Sequence, residues 1–113
     1  MLNNVIDIVD HAFAGCKNLK SITIPNGITN IGVCTFALCN ALDSITIPDS
    51  VTSIENTTFL KCKSLTSIKI PSSVEYNGYR AFEGCNNLTD VYIEGNPKIE
   101  EDAFVHTPVE NVF

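Results

Sequence analysis

The apolar positions of this chain return with a period of 23 residues. Phenylalanine marks the period most clearly, because four phenylalanines stand 23 residues apart and a fifth follows after 22. Such agreement predicts a solenoid, in which equivalent side chains of successive coils lie over one another. The recurring positions are Phe13, Phe36, Phe59, Phe82 and Phe104; Cys16, Cys39, Cys62 and Cys85; Leu19, Leu42, Leu65 and Leu88; Ile22, Ile45, Ile68 and Val91; Ile24, Ile47, Ile70 and Ile93; Pro25, Pro48 and Pro71; and Ile28, Val51 and Val74.

Each coil is predicted to contain a β-strand and a shorter extended segment. The strand is expected at Ser21-Ile22-Thr23-Ile24 and its copies, because apolar and polar residues alternate there. The proline that follows should end the strand, since it has no N–H to donate to a ladder. The pair Ile28 and Ile31, with its copies, predicts a second extended segment on the opposite side. The stretch 12–16 is too short for an α-helix and predicts a tight or 3₁₀-like turn.

The combined motif Leu-x-Ser-Ile-x-Ile-Pro-x-x-Val-x-x-Ile, followed after four residues by Phe-x-x-Cys, resembles the BspA-like leucine-rich repeat over roughly residues 5–113. The resemblance implies a leucine-rich-repeat solenoid: a right-handed superhelix of 23-residue coils with a parallel β-sheet on its concave side. It also implies short extended and 3₁₀ segments on the other faces and little or no α-helix. A leucine-rich repeat with an asparagine ladder is the nearest alternative. Residues 1–113 are expected to form a single repeat domain of about four to five coils that belongs to a longer array.

The clearest departure from the repeat is Asn77, which stands where Ile31 and Ile54 stand in their coils. A buried amide without hydrogen-bond partners costs about 1–3 kcal/mol. Either Asn77 is hydrogen-bonded inside the molecule, or the segment bulges and Tyr76 takes the apolar position. We favour the bulge.

Composition and charge exclude several classes of partner. The 113 residues carry a net charge of -6 with only seven Lys and Arg, which argues against nucleic acid. No apolar run approaches the roughly 18 residues that suggest a membrane-spanning helix, so membrane insertion is not expected. Residues 1–11 lack the pattern of a secretory signal peptide. The residues therefore leave the localisation open, and only the family resemblance implies a cell-surface or secreted protein.

No enzymatic, cofactor or metal site is predicted. The recurring cysteines are interpreted as a reduced ladder in the core, because free cysteine behaves as a small buried apolar residue, and Cys34, outside that column, is expected nearer the surface. Zinc sites need several ligands at tight spacing, and the only histidines are His11 and His106. Asn56 and Asn87 match the glycosylation sequon, which arises by chance in a repeat rich in Asn and Thr, and the sequence does not show whether they are used.

The outward-facing strand positions are the candidate binding surface. They differ more between coils than the core positions do, which fits a partner-binding strip, but random variation of a solvated face explains the pattern equally well. Four strands at a spacing of ~4.8 Å give a face of only about 250 Å², whereas a standard interface needs about 800 Å² per partner. This stretch alone should therefore bind weakly. The candidate residues are Thr23, Thr46, Lys69 and Tyr92, with Ser44, Ser67 and Asp90 beside them.

The sequence thus indicates a non-enzymatic, protein-binding or adhesion repeat module, and the family resemblance implies a host or matrix protein as the partner. The alternative is a structural, self-assembling unit. In that case the uncapped ends of the solenoid would stack on one another and form a homo-oligomer.

Overall fold

The computed structural model describes residues 7–113, so Val5, near which the repeat pattern begins, lies outside the described residues. The chain is a parallel-strand β-solenoid of about five coils, and the described residues contain no helix. Each coil contributes two short strands. They are β1 (Asp7–Ile8), β2 (Ser21–Thr23), β3 (Asn30–Ile31), β4 (Ser44–Thr46), β5 (Ser53–Ile54), β6 (Ser67–Ile70), β7 (Tyr76–Asn77), β8 (Asp90–Ile93), β9 (Lys98–Ile99) and β10 (Asn111–Val112).

The strands form ladders on two sides of the coil, as the two predicted extended segments require. On one side β1, β3, β5, β7 and β9 make a continuous five-stranded parallel sheet, which we call the short-strand ladder. On the other side β2 pairs with β4, while β6, β8 and β10 form a separate three-stranded sheet. These five strands together are called the strand face. The register is regular, with Ile22 opposite Ile45 and Ile31 opposite Ile54.

A column of stacked phenylalanines fills the interior between the two sides. Neighbouring ring centroids are 5.1–5.5 Å apart and the rings lie within 11° of parallel. Phe36, Phe59 and Phe82 are fully buried, whereas Phe13 and Phe104 in the outer coils are only partly buried. Such rings contribute stacking beyond the apolar area that they bury. The predicted superposition of equivalent side chains is therefore confirmed.

The segment between the short-strand ladder and each cysteine is a series of tight turns. In the second coil, alternate backbone N–H groups donate to the carbonyl three residues earlier, and those between them donate to the next coil. The internal donors are Thr35, Ala37 and Cys39, and the donors to the next coil are Cys34, Phe36 and Leu38. Because consecutive N–H groups never bond within one coil, a turn forms here instead of a 3₁₀-helix.

Each of these turns places two residues in the left-handed backbone region. Glycine occupies only two of the ten positions, although other residues meet a steric cost of about 1–2 kcal/mol there. In the first four coils, hydrogen bonds to the next coil hold the chain in this conformation. The left-handed pairs are His11 and Gly15, Cys34 and Leu38, Thr57 and Lys61, Arg80 and Gly84, and Asp102 and His106.

Polar side chains and glycines join the coils beside the short-strand ladder. The Asn56 side-chain oxygen accepts a hydrogen bond from the N–H of Tyr79, at 2.8 Å. Gly78 lies so close to the preceding coil that a Cβ there would be 2.6 Å from the Asn56 nitrogen. The same arrangement occurs two coils earlier: the Asp10 side-chain oxygen accepts a hydrogen bond from the N–H of Val33, and Gly32 lies close to Asp10. A residue with a side chain would not fit at either glycine, so these contacts fix how closely the coils approach.

The bulge expected at Tyr76 and Asn77 is wrong. Asn77 lies opposite Ile54 in the regular register and is fully buried, while Tyr76 faces outward and is half-buried. Neither polar atom of the Asn77 side chain has a hydrogen-bond partner among the described residues. A bulge would shift Gly78 out of the narrow space that it alone can occupy. It would also break the bond from the Gly78 N–H to the Ile54 carbonyl, so the register between coils prevails over the cost of the buried amide.

Candidate functional site

The strand face carries all the predicted surface residues on its outer side. Thr23, Thr46, Lys69 and Tyr92 are exposed, as their place between two inward-facing residues predicts. Tyr92 is 40% exposed, which is high for a large aromatic residue in a strand. Of the flanking column, Ser44 and Ser67 are exposed and Asp90 is half-buried. The inward residues of the same strands are partly or fully buried against the phenylalanine column.

The structure divides these residues into two groups. Thr23 pairs with Thr46 in one sheet, and Lys69 pairs with Tyr92 in the other. The pairing is interrupted between β4 and β6, where a cleft of about 270 Å³ opens. Its walls are Thr46, Ile47, Pro48, Asp49 and Lys69. The face is therefore not the single flat strip that the repeat predicts, and the cleft is lined by two apolar side chains and by one charged side chain of each sign.

Sequence reasoning missed two residues that extend the surface into the last coil. The Phe113 ring stacks on Tyr92 with centroids 4.7 Å apart and planes 12° from parallel. Asn111 pairs with Asp90 and donates its side-chain amide to the Asp90 carboxylate at 2.8 Å. The 23-residue period does not lead to these residues, because the last coil is shorter. The residue that could have led to them is Val112. It pairs with Val91, so the next residue, Phe113, lies beside Tyr92.

The strand face carries an ion pair that is exposed to solvent. The Lys69 ammonium lies 3.3 Å from the Glu94 carboxylate, and the two side chains are 66% and 44% exposed. An ion pair this exposed contributes little to stability, roughly 0–1 kcal/mol. Lys69 can therefore exchange Glu94 for a carboxylate on a partner at small cost.

The cysteine column lies in the interior, except that Cys16 in the first coil is only partly buried. The thiols of Cys39, Cys62 and Cys85 each donate to the phenylalanine carbonyl of the preceding coil, at 3.0–3.1 Å. Contact with the Cys85 thiol together with burial raises the pKa of the Cys62 thiol, and burial raises the pKa of the Cys39 thiol. Because the thiolate is the reactive form, the raised pKa values fit a packing role for Cys39 and Cys62 at neutral pH. Cys34 is half-buried, with its sulfur 3.0 Å from the Thr57 hydroxyl.

Neither a metal-binding cluster nor a membrane-spanning helix occurs within residues 7–113. No three side chains of His, Cys, Asp or Glu come together there in a way that could hold a metal ion. Nor does any helix with the length and hydropathy of a membrane span occur in the same stretch.

The sequence of the chain is similar to that of a known family of repeat proteins. It matches the BspA type leucine rich repeat region in six copies over residues 1–112. The chain therefore belongs to the BspA-type leucine-rich-repeat family, whose repeats generally mediate protein–protein interaction and are generally non-catalytic. No curated protein matches the whole sequence significantly.

Solved structures of bacterial leucine-rich-repeat proteins have the same fold. The leucine rich repeat protein of T. pallidum superposes with a TM-score of 0.91 at 31% identity, over 96% of this chain and 51% of that protein. A leucine rich cell surface protein of Faecalibacterium prausnitzii gives 0.75 at 36% identity, over 78% of this chain and 23% of the other. The pneumococcal vaccine antigen PcpA, at 21% identity and a TM-score of 0.73, shows only the shared fold. The chain spans about half of the first protein and about a quarter of the second.

Proposed function

We propose that this chain is a protein-binding repeat module that contacts an extracellular protein through the strand face. The observation that carries the proposal is the aromatic pair Tyr92 and Phe113, which lies exposed beside Lys69 and the cleft between β4 and β6. Tyrosine is enriched among the residues that dominate binding energy, because it offers a large rigid area with a polar end. The outward positions change from coil to coil while the inward ones keep their type, as a recognition surface requires.

The proposed interaction serves adhesion at the cell surface. It is supported by the likeness to a protein described as a leucine rich cell surface protein, to which this chain is 36% identical. A face formed by five short strands is smaller than a standard interface. We therefore expect weak binding by this stretch, strengthened where further coils or several copies act together.

The test is binding to an array of purified extracellular-matrix and serum proteins by biolayer interferometry. The double variant Lys69→Ala, Tyr92→Ala should bind at least about tenfold more weakly, as expected when a tyrosine anchor is lost. The matched control is Lys98→Ala, Tyr76→Ala, which removes the same residue types from the outer side of the short-strand ladder. Equal loss in both double variants, or no binding to any protein of the array, would contradict the proposal.

A second candidate is self-association of the first and last described coils. Val9 and Val112 are 70% and 64% exposed there, and among residues 7–113 the outer strands are paired on one side only. Stacking of two copies would continue both ladders. Light scattering coupled to size exclusion tests it: Val112→Asp should reduce the mass of any oligomer, and a monomer at every concentration would eliminate this candidate.

A further inference from the structure

A second cleft lies on the turns of the third, fourth and fifth coils, away from the strand face. Its volume is about 330 Å³. The lining residues are Lys61, Lys63, Glu83, Gly84, Asn86 and His106. None of them belongs to a strand, so the cleft is a feature of the turn segments alone.

Gly84 creates the space. It occupies a position that carries a side chain in the coils on either side, Lys61 before it and His106 after it. A Cβ on Gly84 would lie 2.9 Å from the Cγ of Lys61, so the aliphatic stem of Lys61 runs over the glycine. The Lys61 backbone is fixed by its N–H bond to the Glu83 carbonyl, at 2.7 Å. The backbone of Lys61 is thus fixed beside the one position of this column that lacks a side chain in these three coils.

The charge in the cleft is positive although the whole protein is acidic. Among residues 7–113 the ion pairs involve Lys69, Arg80 and Lys98, which leaves Lys61 and Lys63 without a carboxylate within 4.0 Å in that range. The one acid in the lining, Glu83, is paired with Arg80 at 3.4 Å. The lining therefore carries two lysines without a carboxylate partner among residues 7–113, and its one acid forms an ion pair with Arg80.

We propose that this turn cleft binds a phosphate or sulfate group carried on a larger molecule. Lysine ammonium groups bind such anions as point charges, and the amide of Asn86 and the imidazole of His106 add hydrogen-bond donors. The cleft has the volume of roughly ten water molecules, more than a free inorganic anion fills, which leaves room for the group that bears the ester. The cleft is separate from the strand face, so the two proposals stand or fall independently.

Two-dimensional ¹H–¹⁵N NMR tests the proposal on the whole chain with sodium phosphate and sodium sulfate, at ionic strength held constant with sodium chloride. The Gly84 and Asn86 signals should shift saturably. Lys61→Ala and Lys63→Ala should each weaken binding by about fivefold, the factor expected for one charge at close range in water. The ratio of the two affinities indicates which ester the cleft prefers.

The matched control is Lys17→Ala, which removes a lysine from the position equivalent to Lys63 two coils earlier. It should leave both affinities unchanged. The same spectra report whether each variant is folded. Shifts that grow without saturation, or that fall equally in Lys17→Ala and Lys63→Ala, would overturn the proposal, because they would show a general salt effect.

Discussion

The two sides of this solenoid contain five strands each, yet they are built differently. The short-strand ladder has strands of only two residues but pairs without interruption from β1 to β9. The strand face has strands of up to four residues but divides between β4 and β6. Strand length alone therefore does not decide which side is continuous.

The contacts beside each sheet explain the difference in continuity between the two sides better than strand length does. Next to the short-strand ladder, Asn56 accepts a backbone N–H from the following coil, and Gly78 permits close approach to the coil before it. The outward residues of the strand face meet each other mainly through exposed contacts such as that of Lys69 with Glu94. A side fixed by directional hydrogen bonds and close backbone packing tolerates little change, whereas a side with loose, exposed contacts can vary and is suited to recognition.

Phe59→Ala should have the largest effect, because both sides pack on the phenylalanine column. We expect a loss of about 3–5 kcal/mol in the free energy of unfolding, measured by urea denaturation with circular dichroism. Phe13→Ala, in a partly exposed outer coil, should cost less. If Phe59→Ala does not fold, Phe59→Leu provides the comparison. Equal losses at both sites would mean that the column is not a continuous core.

Gly78→Ala tests the close approach of coils beside the short-strand ladder. The added methyl would meet backbone atoms of Glu55 and Asn56 at 2.6 Å, and overpacking of this kind costs about 1–3 kcal/mol. Glu55→Ala, one coil earlier at the equivalent position, should change stability by no more than about 0.5 kcal/mol. Urea denaturation of the two variants gives the comparison, and a neutral Gly78→Ala would remove the proposed reason for the glycine.

Asn77→Val should stabilise the protein, in contrast to most core substitutions. It removes a buried amide without partners, and the gain should be about 1–2 kcal/mol, within the cost of an unsatisfied polar group. Ile54→Val, its neighbour in the same column, should instead cost about 0.5–1.5 kcal/mol. Thermal unfolding of both variants tests this opposition in sign. A destabilised Asn77→Val would show that the amide is satisfied in solution.

Lys69→Thr should have the smallest effect, since it copies the residue at Thr46 onto the next coil of the strand face. The exposed pair with Glu94 is lost, and the change in stability should stay within about 0.5 kcal/mol. The denaturation midpoint in urea measures it. A larger loss would show that the strand face, like the short-strand ladder, depends on its outward side chains for folding.

The interior was predictable because the period of the repeat indicates which residues of successive coils are in contact. Phe36 and Phe59 stand 23 residues apart, so a coil of that length must bring them together. The outward direction of Lys69 and Tyr92 followed from the alternation within a strand. These inferences needed only the period and the chemical type of each residue.

Other features depend on the fit of one coil against the next, which no single repeat contains. The interruption between β4 and β6 falls where Pro48 and Pro71 keep the regular spacing, so the sequence carries no sign of it. Tyr92 reaches Phe113 only because the last coil is shorter than the others. The cleft at Gly84 depends on where the coils on either side place Lys61 and His106.

Asn77 shows most clearly the difference between what the sequence determines and what the tertiary structure decides. Its amide by itself favours exposure, and the sequence suggested that it would turn outward. The neighbouring glycine and the hydrogen bonds between coils keep it inside, because a shift of one residue would disturb every contact of that strand. The sequence therefore determined the period, the core columns and the family, while the tertiary structure decided the burial of Asn77, the breaks and the clefts, since these arise from contacts between coils.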